Sequence, residues 1–153
     1  MTHAGGFEKS SSLTEALSRF EEKIGRARVI IAEDDFLIAM QTEQALSTAG
    51  LEVVGITITA QEVLDLARQE RPALVIMDIR LAGRHDGIDA ARELFQQLNI
   101  RCIFATANDD LHTRERAQRF APFGWLTKPY TMKSLIDSVA DALAELGENA
   151  EPD

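Results

Sequence analysis

A single cysteine, Cys102, stands in 153 residues, so no intramolecular disulfide can form and no cysteine-built zinc cage is available. That usage fits a reducing compartment, and a cytoplasmic location is expected. No uninterrupted apolar run approaches the roughly 20 residues that cross a bilayer, and the start, MTHAGGFEKSSS, lacks the apolar centre of a signal peptide. Export and membrane insertion are therefore not expected. Bases are the minority charge: 16 Lys and Arg against 25 Asp and Glu leave a net charge of −9, with no basic cluster in the sequence. Such a chain repels a nucleic-acid backbone, which disfavours direct nucleic-acid binding. With 45% hydrophobic residues, 9 Gly and 4 Pro, the composition otherwise suits one globular domain and a short appendage.

Residues 1 to 11 are small and polar, and the acidic tail 147–153 carries Glu148, Glu151 and Asp153 without a base, so both ends are expected to fray. Residues 1–27 read as an N-terminal extension. Within it Ser12 and Glu15 form a capping box, and Leu13, Leu17, Phe20 and Ile24 share one face of a helix over about 12–24, which Gly25 ends. That helix could dock on the rest of the chain, pair with its copy in a homodimer, or engage another partner.

Over residues 28–146 a strand followed by a helix-compatible stretch recurs five times. The strands are Arg28 to Glu33, Glu52 to Thr57, Ala73 to Asp78, Arg101 to Thr106 and Gly124 to Thr127. The helices are expected near 36–49, 60–70, 88–98, 110–120 and 132–146. Val29 to Ala32, Leu74 to Met77 and Cys102 to Ala105 are continuously apolar, as in strands covered on both faces of a parallel sheet. In two of the helices the stripes Ile88, Ala91, Phe95, Leu98 and Leu135, Val139, Ala142, Leu146 give one core-facing side each. The expected fold is α/β: a doubly wound, five-stranded parallel sheet flanked by five helices, with an extra helix at the N-terminus.

Sheets of this kind hold their sites at the carboxyl ends of the strands. Those ends carry Glu33, Asp34 and Asp35, then Asp78, Thr106 and Lys128. Any one of them is explained as a strand-end cap meeting water; together they suggest a site. Converging carboxylates repel unless a cation sits among them, and hard oxygen donors select Mg²⁺. A lysine and a threonine hydroxyl facing the same point are equipment for holding phosphoryl oxygens. Asp78 ends the central, most apolar strand and is the candidate nucleophile, since a carboxylate can form an acyl phosphate.

The ordered set Ile-Ile-Ala-Glu33-Asp34-Asp35, Leu-Val-Ile-Met-Asp78-Ile-Arg-Leu, Phe-Ala-Thr106-Ala and Trp125-Leu-Thr-Lys128-Pro129 resembles the receiver domain of bacterial two-component response regulators, from about Arg28 to Leu146. The resemblance implies a flavodoxin-like fold with Asp78 as phosphoacceptor. It makes Glu33 and Asp34, with the backbone carbonyl of Arg80, the holders of Mg²⁺, and Asp35 a third acid nearby. Thr106 matches the switch hydroxyl, Lys128 the lysine that pairs with the phosphoryl group, and Pro129 a proline with a cis peptide bond before it. Trp125 stands where relatives carry an aromatic that changes rotamer on activation. Arg80 and Asn108, two past the nucleophile and two past the threonine, match positions that tune dephosphorylation. His85, in the polar loop before the third helix, is given no catalytic role.

The implied partner is a sensor histidine kinase or a histidine phosphotransfer protein. The implied protein is a phosphoacceptor in signalling rather than an enzyme, catalysing only its own phosphorylation and dephosphorylation. Seven residues follow Leu146, so a stand-alone receiver without a DNA-binding output domain is expected, signalling through protein contacts. Phe104-Ala105-Thr106 also resembles the opening of the Phe-Ala-Thr-Gly motif of single-domain regulators, from which Ala107, Asn108 and Asp109 depart. One competing reading is a degenerate receiver acting as a phosphorylation-independent adaptor. Another is an aspartyl-phosphate phosphohydrolase, which would want an acid at position 80, where this chain has Arg.

Overall fold

The structure, a computed structural model, describes Glu15, residues 27–107 and residues 111–150, the last three by backbone alone. Glu15 is helical; the rest of the helix expected over about 12–24 lies outside the described residues, as do Asn108 and residues 151–153.

Five strands, β1 (Arg28–Ala32), β2 (Glu52–Thr57), β3 (Leu74–Asp78), β4 (Cys102–Thr106) and β5 (Gly124–Thr127), form one parallel sheet in the order β2-β1-β3-β4-β5. They alternate with α1 (Phe36–Thr48), α2 (Ala60–Glu70), α3 (Gly87–Leu98), α4 (Leu111–Gln118) and α5 (Met132–Ala150). This is the doubly wound α/β fold that the strand and helix spacing predicts. All residues of β3 and β4 are buried, because side chains alternate between two separate apolar layers. Val29, Ile31, Leu74, Ile76 and Ile103 face one layer with Leu46 of α1 and Leu135, Val139 and Leu143 of α5. Ile30, Val75, Met77 and Phe104 face the other with Val63 of α2, Leu94 of α3 and Ala117 of α4.

Two helical stripes differ in detail from the sequence expectation. In α3 the fully buried large residue is Leu94, whereas Phe95 and Leu98 are half-buried at the margin. In α5 Leu143 is fully buried and Leu146 is not, and the helix runs on through Ala150. Several apolar residues in succession satisfy a three-to-four spacing, so the pattern marks a face without fixing its centre.

The sheet positions the site. The chain winds one way from β1 to β2 and the other way from β3 onward, so the ends of β1 and β3 lie side by side with no helix crossing above them. Register completes the arrangement: Asp78 pairs with Ala105, Thr106 with Thr127, and the Lys128 amide donates to the Thr106 carbonyl at 2.9 Å.

Candidate functional site

Glu33 follows β1, with its backbone N–H bonded to the Thr57 carbonyl at 2.9 Å, and is 4% exposed. Asp78 ends β3 and is 5% exposed. Lys128, from the end of β5, reaches between them: its Nζ lies 2.6 Å from Glu33 Oε1 and 3.1 Å from Asp78 Oδ2. The remaining carboxylate oxygens are also engaged. Glu33 Oε2 accepts from the Asp35 N–H, and Asp78 Oδ1 accepts from the Arg80 N–H, both at 3.1 Å.

One ammonium serves two buried carboxylates, and the local chemistry shows the deficit. Burial first, then the hydrogen bond with Glu33 and its negative charge, push Asp78 from 3.8 up to about 7, against the pull of Lys128. Burial would lower Lys128, but its bonds to Glu33 and Asp78 and their charges outweigh that and hold it above its ordinary value. Exposed Asp34 adds a third acid: one carboxylate oxygen each from Glu33, Asp34 and Asp78 lie within 4.8 Å of one another. Three oxygen donors against one ammonium is a donor set that fits a hard divalent cation such as Mg²⁺.

Asp35, the third acid of the sequence triplet, has a different task. It caps α1, with Oδ1 accepting from the Ile38 N–H at 3.1 Å, and it lies outside the acidic trio. The cap turns the chain sharply after β1, which leaves Glu33 pointing inward and Asp34 outward. Asp34, Asp35, Arg80, Thr106, Lys128 and Pro129 line one open cleft of about 560 Å³ with Glu33 and Asp78. Thr106 is buried at the end of β4, Arg80 is exposed at the rim, and the Lys128–Pro129 peptide bond is cis.

Trp125 does not line the cleft. It is half-buried on β5, tilted against Phe104 with ring centroids 5.1 Å apart and covered by the Arg114 guanidinium at 4.7 Å. His85 is an exposed residue whose Nδ1 lies 3.6 Å from Asp89 Oδ2, away from the acids.

Sequence reasoning missed three supports. Tyr130, two residues after Lys128, shares a hydrogen bond of 2.8 Å with the buried hydroxyl of Thr42 and so ties the β5–α5 turn to α1. Gly87 opens α3 against β3: a Cβ there would sit 2.1 Å from the Asp78 carbonyl oxygen. Asp86 and Asp89 form a capping box at that same turn. The Asp-x-x-Asp spacing was the available signal for the last, and the glycine beside it for the second.

A doubly wound sheet thus carries buried carboxylates at its switch point, with a lysine bridging them and a threonine in the same cleft. The response regulator receiver domain family matches residues 29–140, and the chain belongs to that family. Among curated relatives it is 36% identical over 121 residues to the transcriptional regulatory protein PdtaR of Mycobacterium tuberculosis, covering 79% of this chain and 58% of that one. It is 32% identical over 117 residues to the phyllosphere-induced regulator PhyR of Methylorubrum extorquens, covering 75% and 43%. The chain thus spans about half the length of these relatives. Among solved structures, the signal receiver domain of a modulated diguanylate cyclase from Desulfovibrio desulfuricans G20 superposes with a TM-score of 0.75 at 32% identity, covering 82% of this chain and 99% of that one. The response regulator PhyR from Brucella abortus gives 0.68 at 33%, covering 87% and 55%. Among the described residues, no helix is long and apolar enough to cross a membrane.

Proposed function

We propose that this receiver takes a phosphoryl group onto Asp78 from a phosphohistidine of a sensor histidine kinase or a histidine phosphotransfer protein, and signals through protein contacts. The observation that carries this reading is the Lys128 ammonium held between Glu33 and Asp78, with Asp34 completing an acidic trio at the open end of the sheet. In the transfer, a carboxylate oxygen of Asp78 attacks phosphorus in line. An O–P bond forms as the P–N bond breaks, and the electron pair leaves with the donor imidazole, which takes up a proton.

Each side chain has a task in that step. The Arg80 N–H fixes one carboxylate oxygen of Asp78 and so orients the other. Lys128 shifts from the carboxylate to a phosphoryl oxygen as charge moves outward, and Thr106 offers its hydroxyl from the neighbouring strand. Magnesium held by Glu33, Asp34, Asp78 and the Arg80 carbonyl would screen the charge of the incoming phosphate. Phe36 and Leu37, 76% and 65% exposed beside the acids, offer an apolar contact for the donor protein. The new dianion would bias a pre-existing equilibrium at Thr106 and Trp125, and Arg80, exposed at the rim of the cleft, would tune the access of the water that ends the signal.

The test is incubation with a small phosphodonor and Mg²⁺, read by intact mass. One phosphoryl group is expected on the wild type and none on Asp78→Asn. An unmodified wild type, or an equally modified Asn variant, overturns the reading.

A further inference from the structure

The turn between Asp78 and α3 is built tightly onto the phosphoacceptor. The Gly87 N–H donates to the Ile79 carbonyl at 2.7 Å, and only the missing Cβ lets the helix start rest on the Asp78 carbonyl. The capping box closes the same turn with one oxygen from each acid: Asp86 Oδ1 accepts from the Asp89 N–H at 2.9 Å, and Asp89 Oδ2 from the Asp86 N–H at 3.0 Å. Arg116, from α4, takes the other two. Its Nη1 lies 3.2 Å from Asp86 Oδ2 and its Nη2 3.8 Å from Asp89 Oδ1. A forked guanidinium is the group that suits such a paired acceptor.

Burial contributes little to seating α4 among the described residues. Of its eight residues Ala117 alone is buried, and Leu111 is 73% exposed. Arg114 of the same helix lies over Trp125, which stacks in turn on Phe104 two residues before Thr106. Two arginines thus tie the helix that follows β4 to its neighbours, and one of them grips the cap that sits on Asp78.

We propose that Arg116 is a positioning residue: by gripping the Asp86–Asp89 cap it makes the seating of α4 and the backbone geometry at Asp78 a single coupled equilibrium, by a route that does not pass through Thr106. A helix with so little buried surface opens locally at low cost, so an alternative seating is within reach. Displacing α4 and loosening the start of α3 then become one event. Under this coupling the grip is weaker in the phosphorylated state, so the grip seen with Asp78 unmodified favours the unmodified state. By reciprocity, releasing it strengthens phosphoryl binding by the same factor that phosphoryl binding weakens the grip. Partly exposed ion pairs set that factor at about two- to fivefold. The functional half of this inference rests on Asp78 being the phosphoacceptor.

The test uses the full chain with Arg116→Met, which keeps the length and helical preference of the side chain, and with Asp89→Asn, which keeps the capping acceptor but not its charge. Three quantities are measured: the phosphorylation rate with a small phosphodonor by intact mass, the affinity for beryllofluoride with Mg²⁺ by calorimetry, and amide exchange of α4 in the unmodified protein. Either variant should raise rate and affinity about two- to fivefold and speed exchange in α4. Arg116→Lys should fall between, and the double variant should exceed neither single one. A melting temperature that moves while rate, affinity and exchange do not, or two effects that simply add, would overturn the coupling. If the wild type takes neither phosphoryl nor beryllofluoride, the phosphoacceptor reading fails. The exchange measurement still decides the clamp, because unaltered protection of α4 in Arg116→Met refutes it.

Discussion

Replacing Asp78 by Asn should stabilise the protein, and the gain should depend on pH. The folded chain holds the Asp78 proton up to about pH 7, whereas the unfolded chain releases it near the ordinary value of 3.8. Between those limits the folded state binds the extra proton, so wild-type stability falls as pH rises from about 4 to about 7, and the full loss persists above. Asn carries no such penalty and fits the same space. At about 1.36 kcal/mol per pH unit, the interval caps the advantage of Asn at roughly 4 kcal/mol. Against it stands the bond from the Arg80 N–H, charge-assisted with Asp and neutral with Asn, a loss of about 1 kcal/mol. The expected gain is therefore about 3 kcal/mol at pH 8 and near zero at pH 4.5. Urea unfolding in chelator at both pH values, followed by circular dichroism, measures it. Mg²⁺ at a hundredfold excess over Kd should stabilise the wild type by about 2.7 kcal/mol and so nearly cancel the difference at pH 8, while leaving the Asn variant nearly unmoved. A pH-independent advantage, or equal stabilisation of both proteins by Mg²⁺, would refute the picture of crowded carboxylates awaiting a cation.

Lys128→Ala should destabilise by up to about 3 kcal/mol and more at pH 8 than at pH 5, where Asp78 can keep a proton instead of facing Glu33 as an anion; paired denaturation curves report the difference. Gly87→Ala should lose about 1–3 kcal/mol, because the added methyl meets the Asp78 carbonyl at 2.1 Å and Met77 Cγ at 2.9 Å; thermal melts check this, and an unchanged melting temperature would show that α3 shifts at no cost. Leu37→Glu should slow transfer from a phosphorylated donor protein at least tenfold while leaving modification by a small phosphodonor unaltered, as side-by-side time courses would reveal.

The fold was legible because its strongest signals are local. Continuous apolar runs at Val29–Ala32, Leu74–Met77 and Cys102–Ala105 can be satisfied only with helices on both sheet faces, and these strands are fully buried in the structure. The strand-end acids and Lys128 were legible for the same reason: polar residues that interrupt apolar runs mark where a buried strand reaches the open edge. What stayed hidden depends on partners distant in sequence. Asp35, directly before the helix that starts near 36, stands at an N-cap position, but nothing local tells that its neighbour Asp34 joins the acidic trio; that follows from which way the chain turns after β1. Tyr130 finds Thr42 across 88 positions, and Arg116 finds Asp86 across 30, by contacts that no periodicity encodes.

The site follows from topology rather than from any attraction among its members. Glu33 and Asp78 are carried to adjacent strand ends by ladders whose buried Val, Ile, Leu and Met side chains contribute about 1.5–3 kcal/mol each, enough in sum to hold two carboxylates where their own electrostatics oppose it. Lys128 relieves half of that opposition, and its ion pairs with both acids keep it from settling on either one. The unrelieved half is what makes the cleft responsive. Any added positive charge lowers the energy of the pair. A dianion attached at Asp78 has the opposite effect on Glu33, and Lys128 is the side chain in contact with both acids that can follow it. A neutral pair at these positions would leave the sheet more stable and would leave the cleft without a gradient for either cation or phosphoryl group to exploit.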